Sequence, residues 1–430
     1  QLREHLRSNG QPAGGNKKAL VARVFSQAPN IPGRAFTLPD RALIQRCEWL
    51  FFGGRKRGRK RLVLERMERV SFKKYEISPA RPVFEDRETM DAYLETTHVD
   101  KMTDSALVLK IASLPPSHKG PAWLSVRRRY GKALLKRAVS AQKTNDHLRA
   151  RTLFEAARRL EVGIYNEVVR REALCLEALG EKAAAAQICM DARRPRRSSE
   201  DIALHRTGRR LCRAAGKVWV PDVPLFKATT RQVFLPPARK NLSIEARAGA
   251  LVAPRHWVHG EGGFWTTLFC ILFYDLLWEP APGMLPAPCL AGPLDLGTSQ
   301  FLTRRSHSYR KRLEVLQDKN TWEDIVEVYR DRGVRVKGLR WDLCTVDQWV
   351  AFLEAFPRGP LLAIMGEIAT TGFTGAAGLP DLVVWDGQPV RHGALFPSRL
   401  AAGPLLVEIK TPNDSLSDGQ RWWHHKLVSL

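Results

Sequence analysis

The sequence predicts a multidomain α and α/β protein, helical through its first half and strand-bearing only near its C-terminal end. Three observations predict this. From Trp123 to about Gly216 the chain is rich in Ala, Leu and Arg and lacks strand signals, as in RRYGKALLKRAVSA and ARTLFEAARRL. Late in the chain two β-rich runs follow one another, GLPDLVVW from Gly378 and LLVEIK from Leu405 to Lys410. Between these regions the chain is broken by Leu114-Pro115-Pro116 and by a Pro-rich stretch over 217–240. Proline cannot continue a helix or sit within a paired strand, so such clusters mark boundaries. The parts predicted are therefore 1–113, a helical region; 114–225, a helical array; and 226–430, an α/β domain.

With 430 residues the chain has ample material for several cores. A net charge of +25 suits a polyanionic partner, of which nucleic acid is the commonest. An acidic membrane surface fits less well, since no basic amphipathic helix stands out. The most apolar run, Phe264 to Trp278, is short for a span and contains Asp275, so it reads as one buried helix. The 7 cysteines are scattered without a CxxC pair. That argues against structural zinc and leaves disulfides unsupported.

In chain order, LREHLRSNGQPAGGNKKALVARVF predicts two short helices around a Gly-rich turn, Gly10 to Gly15. Leu2, Leu6, Leu20, Val21 and Val24 form its apolar face, while Arg3, Arg7, Lys17, Lys18 and Arg23 are basic. The stretch resembles a SAP motif, a small DNA-binding element, and an ordinary basic helical hairpin is the bland alternative. Residues 36 to 52 read as a helix, followed by RKRGRKR from Arg55 to Arg61, a like-charge run expected to be a solvated loop. The array from Trp123 resembles TPR-like helix pairs without a clean repeat. Beyond 240, helices are expected near 242–252, 300–317, 321–332 and 345–356. The two strands come next, and DGQRWWHHKLVSL closes as a helix.

The chemistry is expected on the two strands. Side chains two apart on a strand share a face, so Glu408 and Lys410 point together while Val407 and Ile409 turn to a core. Asp381 begins the neighbouring strand. An acid facing an acid and a lysine can hold Mg²⁺ or Mn²⁺, as one or two ions, for phosphodiester cleavage. Asp381 and Glu408 would be ligands, the Ile409 carbonyl a further hard oxygen, and Lys410 the group that assists the water. The pattern is short, and a turn at Pro380 with a solvated strand face accounts for it equally well.

The flanking residues add more. GLPDLVVW and LLVEIKTPNDSLSDGQRWW resemble the VRR-NUC nuclease family, with Asn413, Asp414, Leu416, Ser417, Gln420 and Trp423 at matching positions. VHGEGGFWTTLFCILFYDLLW and LDLGTSQFLTRR resemble segments of its Fanconi-associated branch, which joins SAP, TPR-like and VRR-NUC parts. The resemblance implies a C-terminal PD-(D/E)xK-type α/β nuclease domain, with Glu261 as third acidic ligand and Gln420 beside the metal. Locally, Glu261 would also favour a helix N-terminus, and Ser417 with Gln420 would also make a capping box. The implied activity is 5′-flap endonuclease and 5′-to-3′ exonuclease action in interstrand-crosslink repair. The implied partners are branched or flapped DNA and, for parts outside this sequence, ubiquitinated repair proteins; the place of action is nuclear if the source is eukaryotic.

The sequence departs from this family in several places. NEVVRREALCL aligns Arg171 with an arginine expected at a 5′-phosphate, but Glu167 replaces the companion arginine. The stretch WDGQPVRHGALFPSRLAAGP between the strands looks like an insertion whose Arg391 and Arg399 would reach DNA. The chain also stops before an expected last strand. A non-catalytic DNA-binding scaffold is the rival reading from another class, and a hydrolase using its carboxylates as acid and base is a third.

Overall fold

The structure is a computed structural model. It describes residues 2–16, 19–20, 23, 40–51, 58–77, 84, 86–114, 120–160, 165–192, 199–219, 229–230, 232–235, 242–252, 255–285, 288–298, 300–317, 323–385 and 404–429. The chain divides into two compact units, Gln1–Glu48 and Trp49–Leu430. Lys17, Lys18, Arg391 and Arg399 lie outside the described residues.

In the first unit a helix spans Leu2–Ser8, and residues 19, 20 and 23 are helical again. Gly10 has φ of 68°, which lets the chain reverse while Gln11 N–H donates to the Leu6 carbonyl at 2.7 Å. Asn16 Oδ1 accepts from Ala19 N–H at 3.0 Å and so starts the second helical stretch. Leu6 and Leu20 are buried against one another, as the spacing of apolar residues predicts.

The second unit begins with helices. Gly58–Arg66 is helical, so the basic run expected to be a loop enters a helix where its residues are described. Lys and Arg are good helix formers, and the Leu-Val-Leu that follows supplies apolar surface to bury. The array consists of Gly120–Lys143, His147–Arg158, Tyr165–Ala178, Lys182–Asp191 and Ser199–Ala214. One of its cores joins Leu107 and Ile111 to Trp123, Tyr130 and Phe154, so apolar packing runs across the Pro115-Pro116 break. A second core gathers Val169, Leu204, Leu211 and Trp219.

The C-terminal part has one sheet of three strands in the order β1-β2-β3: His256–His259, Leu382–Trp385 and Leu405–Val407. All neighbours are antiparallel, with His259 opposite Leu382 and Leu382 opposite Val407. Two strands were expected, and three are present among the described residues. β1 reads HWVH, only 4 residues long, too short to show an alternating pattern. All four residues of β2 are buried. Val383 and Trp385 face the large core, and Leu382 and Val384 face a smaller cluster with Trp257, Leu405 and Val407.

The expected single buried helix is two, Gly263–Leu272 and Tyr274–Trp278, broken at Phe273. Every residue from Phe264 to Leu272 is buried, so hydropathy has no polar face to reveal the break. A helix over Arg358–Thr371 was not expected. Its Pro360 falls in the first turn, where a missing N–H costs nothing. Among the described residues no helix is long and apolar enough to cross a membrane.

Candidate active site

The site forms where β1, β2, β3 and the C-terminal helix Asp418–Val428 meet. Beyond the end of β1, Gly260 N–H donates to the Asp381 carbonyl at 2.7 Å, which fixes the start of β2. A Cβ on Gly260 would sit 2.7 Å from the Pro380 carbonyl oxygen, so the contact needs glycine. Asp381 Oδ2 accepts from Ile409 N–H at 2.8 Å. This bond ties the first acid to the strand end that bears the second.

Glu408 lies just past β3 with its side chain 6% exposed. Its Oε1 meets Lys410 Nζ at 2.8 Å and accepts from Gln420 Nε2. Its Oε2 is buried and has no hydrogen-bond partner. A buried carboxylate oxygen left bare is costly; Glu200 Oε2, Asp295 Oδ1 and Asp418 Oδ1 share this state, and Glu408 is set apart by having Asp381 and Lys410 beside it. Burial pushes the Glu408 carboxyl up to about 7; the Lys410 bond pulls it down, and the nearby Asp381 charge pushes it up again. For Lys410, burial works to lower the ammonium's pKa, but the bond to Glu408 and the charges of Glu408, Asp381 and Asp414 outweigh it and hold it above the ordinary value. Lys410 is therefore a cation and Glu408 a carboxylate easily protonated in the absence of a metal.

The C-terminal helix is positioned by its first turn. Ser417 Oγ accepts from Gln420 N–H at 3.2 Å, and Gln420 Oε1 accepts from Ser417 N–H at 2.8 Å, a complete capping box. The same Gln420 amide gives its Nε2–H to Glu408, so the two expected roles are combined in one side chain. Gly378, at φ 90°, lets this helix approach: a Cβ there would lie 2.5 Å from the Gly419 carbonyl carbon. Trp423 is buried and donates to the Gly375 carbonyl at 2.8 Å, and Lys426 pairs with Glu367 of the preceding helix. His424 stands one turn beyond Gln420. Burial lowers its pKa, as does the Lys410 charge, with Asp381 opposing. It was not anticipated, because only helix docking brings it near the two strands.

Other expected residues fall elsewhere. Glu261 is exposed in the turn after β1, next to the Gly260 that binds Asp381. The described residues hold no group of three His, Cys, Asp or Glu side chains close enough to bind a metal. Asp414 belongs to a turn, accepting from Thr411 N–H at 3.2 Å and Thr411 Oγ1 at 2.6 Å. Arg171 pairs with Glu167 at 2.9 Å and donates to Gln142 at 3.3 Å. In the first unit, Arg3 donates to the Gly15 carbonyl at 3.4 Å and Arg23 to the Pro12 and Gly14 carbonyls, while Arg7 is exposed. In LDLGTSQFLTRR, Asp295 and Arg305 form a buried pair at 2.9 Å that serves the core. Two cavities, of about 400 and 380 Å³, open elsewhere and include none of Asp381, Glu408 or Lys410.

Asp381, the bare Glu408 oxygen and the Ile409 carbonyl are hard oxygen donors, which suit Mg²⁺ or Mn²⁺ and not a soft metal. With a nearby lysine, the donor set fits a divalent ion that binds phosphate.

Residues 317–429 match the model of the VRR-NUC domain, a span that holds Asp381, Glu408, Lys410 and Gln420 but not Glu261 or Arg171. The chain is similar to Fanconi-associated nuclease 1 of Homo sapiens, 33% identical over 181 residues, which is 40% of this chain and 16% of that protein. It is similar to the homologue of Schizosaccharomyces pombe, 28% identical over 175 residues, 40% of this chain and 23% of that one. The homologue of Oryza sativa is 28% identical over 166 residues, 38% of this chain and 16% of that one. The match thus spans about a fifth of these relatives' length or less. In fold the chain matches a crystal structure of paFAN1 bound to 2-nucleotide 5′-flap DNA with a gap, with TM-score 0.76 and 23% identity, over 100% of this chain and 78% of that one. The chain therefore matches the VRR-NUC domain over residues 317–429 and resembles the Fanconi-associated nucleases, in sequence over part of its length and in fold over all of it.

Proposed function

We propose that this chain is a metal-dependent, structure-specific DNA nuclease that cleaves 5′-flapped duplexes. The observation that carries the reading is the buried, unpartnered Oε2 of Glu408 beside Asp381, with Lys410 paired to the same carboxylate just past the end of β3. Similarity to Fanconi-associated nucleases and a net charge of +25 support DNA as the substrate. So does the flap DNA bound by paFAN1.

Asp381, Glu408 and the Ile409 carbonyl would hold Mg²⁺ or Mn²⁺, with Glu261 as the third acid once its turn closes on the site. When bound, the ion would supply charge neutralisation on the phosphate and a more acidic water. Gln420 and Lys410 both engage Glu408 Oε1, which leaves Oε2 without a hydrogen bond. Lys410 is held as a cation. Its role is to steady the developing negative charge and orient the attacking water, with Gln420 as a positioning residue. The first unit contributes a SAP-like hairpin in which Arg3 and Arg23 shape the loop, with Arg7 and the sequence neighbours Lys17 and Lys18 as the charges that would contact phosphates. Arg171 contacts a 5′-phosphate only on exchanging its Glu167 partner. The finer activities, 5′-flap endonuclease and 5′-to-3′ exonuclease action in crosslink repair within a nucleus, follow from the same resemblance.

The test is a labelled 5′-flap duplex incubated with Mg²⁺, Mn²⁺ or EDTA. Cleavage near the branch with either metal and none in EDTA is expected. Tight binding without cleavage points to a scaffold, and cleavage that survives EDTA points to acid–base hydrolysis.

A further inference from the structure

The helix Ser199–Ala214 leads from the candidate active site to a set of arginines that nothing above explains. Its Arg206 pairs at 2.9 Å with Asp418, the first residue of the C-terminal helix and two positions before Gln420. From there the helix presents Arg209, Arg210 and Arg213 to solvent. Arg210 is engaged by Glu177 of the neighbouring helix. Arg209 and Arg213 make no hydrogen bond or ion pair among the described residues. They line an open groove of about 380 Å³ together with Lys217 and Trp219.

The groove is structurally built. Trp219 is 9% exposed and lies against Gly208, where a Cβ would meet its ring at 2.4 Å, and its ring meets His205 edge-on at 5.3 Å. Lys217 is held by Gln187 Oε1 at 2.8 Å. A bland account covers part of this: a cation in the last turn, such as Arg213, complements the helix dipole. It does not cover Arg209, a full turn earlier. Nor does it explain two arginines four apart, on one helix face, with no acidic partner on either side.

We propose that this groove is a binding site for the phosphodiester backbone of the DNA arm that leaves the reaction centre, with Arg209 and Arg213 contacting successive phosphates. Charge complementarity selects the occupant, since among the described residues no acidic side chain lines the groove. Position selects it too, because the track begins at the Arg206–Asp418 pair, beside the helix that holds Glu408. From Arg209 to Arg213 the helix rises about 6 Å, of the order of the separation between neighbouring phosphates along a strand. The inference rests on the proposed DNA-nuclease reading.

The experiment measures binding of a fluorescent 5′-flap duplex in EDTA over a range of salt, for the whole chain and for Arg209→Ala/Arg213→Ala. Losing two phosphate contacts makes the slope of log affinity against log salt shallower by about 1.8. Affinity at low salt is expected to fall about tenfold or more. Arg209→Lys/Arg213→Lys keeps the charges and retains the slope. Both residues are exposed, and matching melting curves confirm that the variants fold. An unchanged slope in the alanine variant, with the parent binding tightly, overturns the groove and leaves the nuclease reading standing. A lysine variant as weak as the alanine one also overturns it. If the parent chain itself does not bind the flap duplex, the proposed function falls first and takes the groove with it.

Discussion

Two acid–base pairs in this molecule look alike and are built to opposite ends. In the helical array, Glu167 and Arg171 meet one turn apart at 2.9 Å, and Arg171 also reaches Gln142, so the pair closes on itself. At the edge of the sheet, Glu408 and Lys410 meet at 2.8 Å, but one carboxylate oxygen is buried and bare. The first arrangement is a modest surface pair worth a few tenths of a kcal/mol. The second holds a charge out of water without satisfying it, which folding alone does not favour. A buried group left incomplete is a better pointer to chemistry than an ion pair as such.

Replacing Asp381 by Ala is expected to break the second arrangement most severely. Flap cleavage should fall by about a thousandfold or more, as losses of charge-stabilising groups do. Anisotropy should show DNA affinity within about threefold of the parent, and retained cleavage would exclude the site.

Glu408→Gln should abolish cleavage as well, yet it should stabilise the metal-free protein. The sign follows from the raised carboxyl. Between the ordinary carboxyl value of 4.5 and about 7 the folded chain holds a proton that the unfolded chain has lost. Stability therefore falls as pH rises through that window. The melting temperature of the variant should exceed the parent's at pH 8, and the gain should be gone at pH 4.

Gln420 tests the two roles of one amide. Gln420→Ala removes both and should slow cleavage about tenfold to a hundredfold while costing about 1 kcal/mol of stability. Gln420→Glu preserves the capping box. It should remain slow and melt below the parent at pH 8, because a carboxylate there cannot donate to Glu408 and repels it. Equal rates for Gln420→Glu and the parent would confine this residue to capping.

The smallest effect is expected at the closed pair. Glu167→Gln releases Arg171 and should raise the preference for a 5′-phosphorylated over a 5′-hydroxyl flap by about threefold. That is the size of a surface ion pair. No change in that ratio would leave Arg171 a structural residue.

Much of the site was legible because it is local. Asp381 beside the start of β2 and the Ser417-x-x-Gln420 box each announce themselves within a few residues, whereas Glu408 and Lys410, expected on a strand, lie just past the end of β3 and keep only their two-residue spacing. What escaped was set by packing over distance. β1 is a 4-residue strand recognised only by its pairing with β2. His424 reaches the site through docking of the C-terminal helix, and the break at Phe273 lies in a stretch with no polar face. The Arg358–Thr371 helix begins with Gly359 and Pro360, which read as breakers until they are placed in a first turn. The hairpin arginines Arg3 and Arg23 showed as positive charge, but their use as donors to loop carbonyls depends on a turn that the sequence only outlines.

The sharing of the Gln420 amide between cap and carboxylate also sets the order in which the molecule fails. The end of a helix frays more readily than its middle, and local opening costs less than global unfolding. Here, fraying of the first turn at Ser417 also releases Glu408 from Gln420. On warming or in dilute urea, catalysis should then disappear while the buried Trp265, Trp349 and Trp385 still report an intact core. Thermal inactivation measured by activity and unfolding measured by fluorescence should give two separate midpoints, with activity the lower.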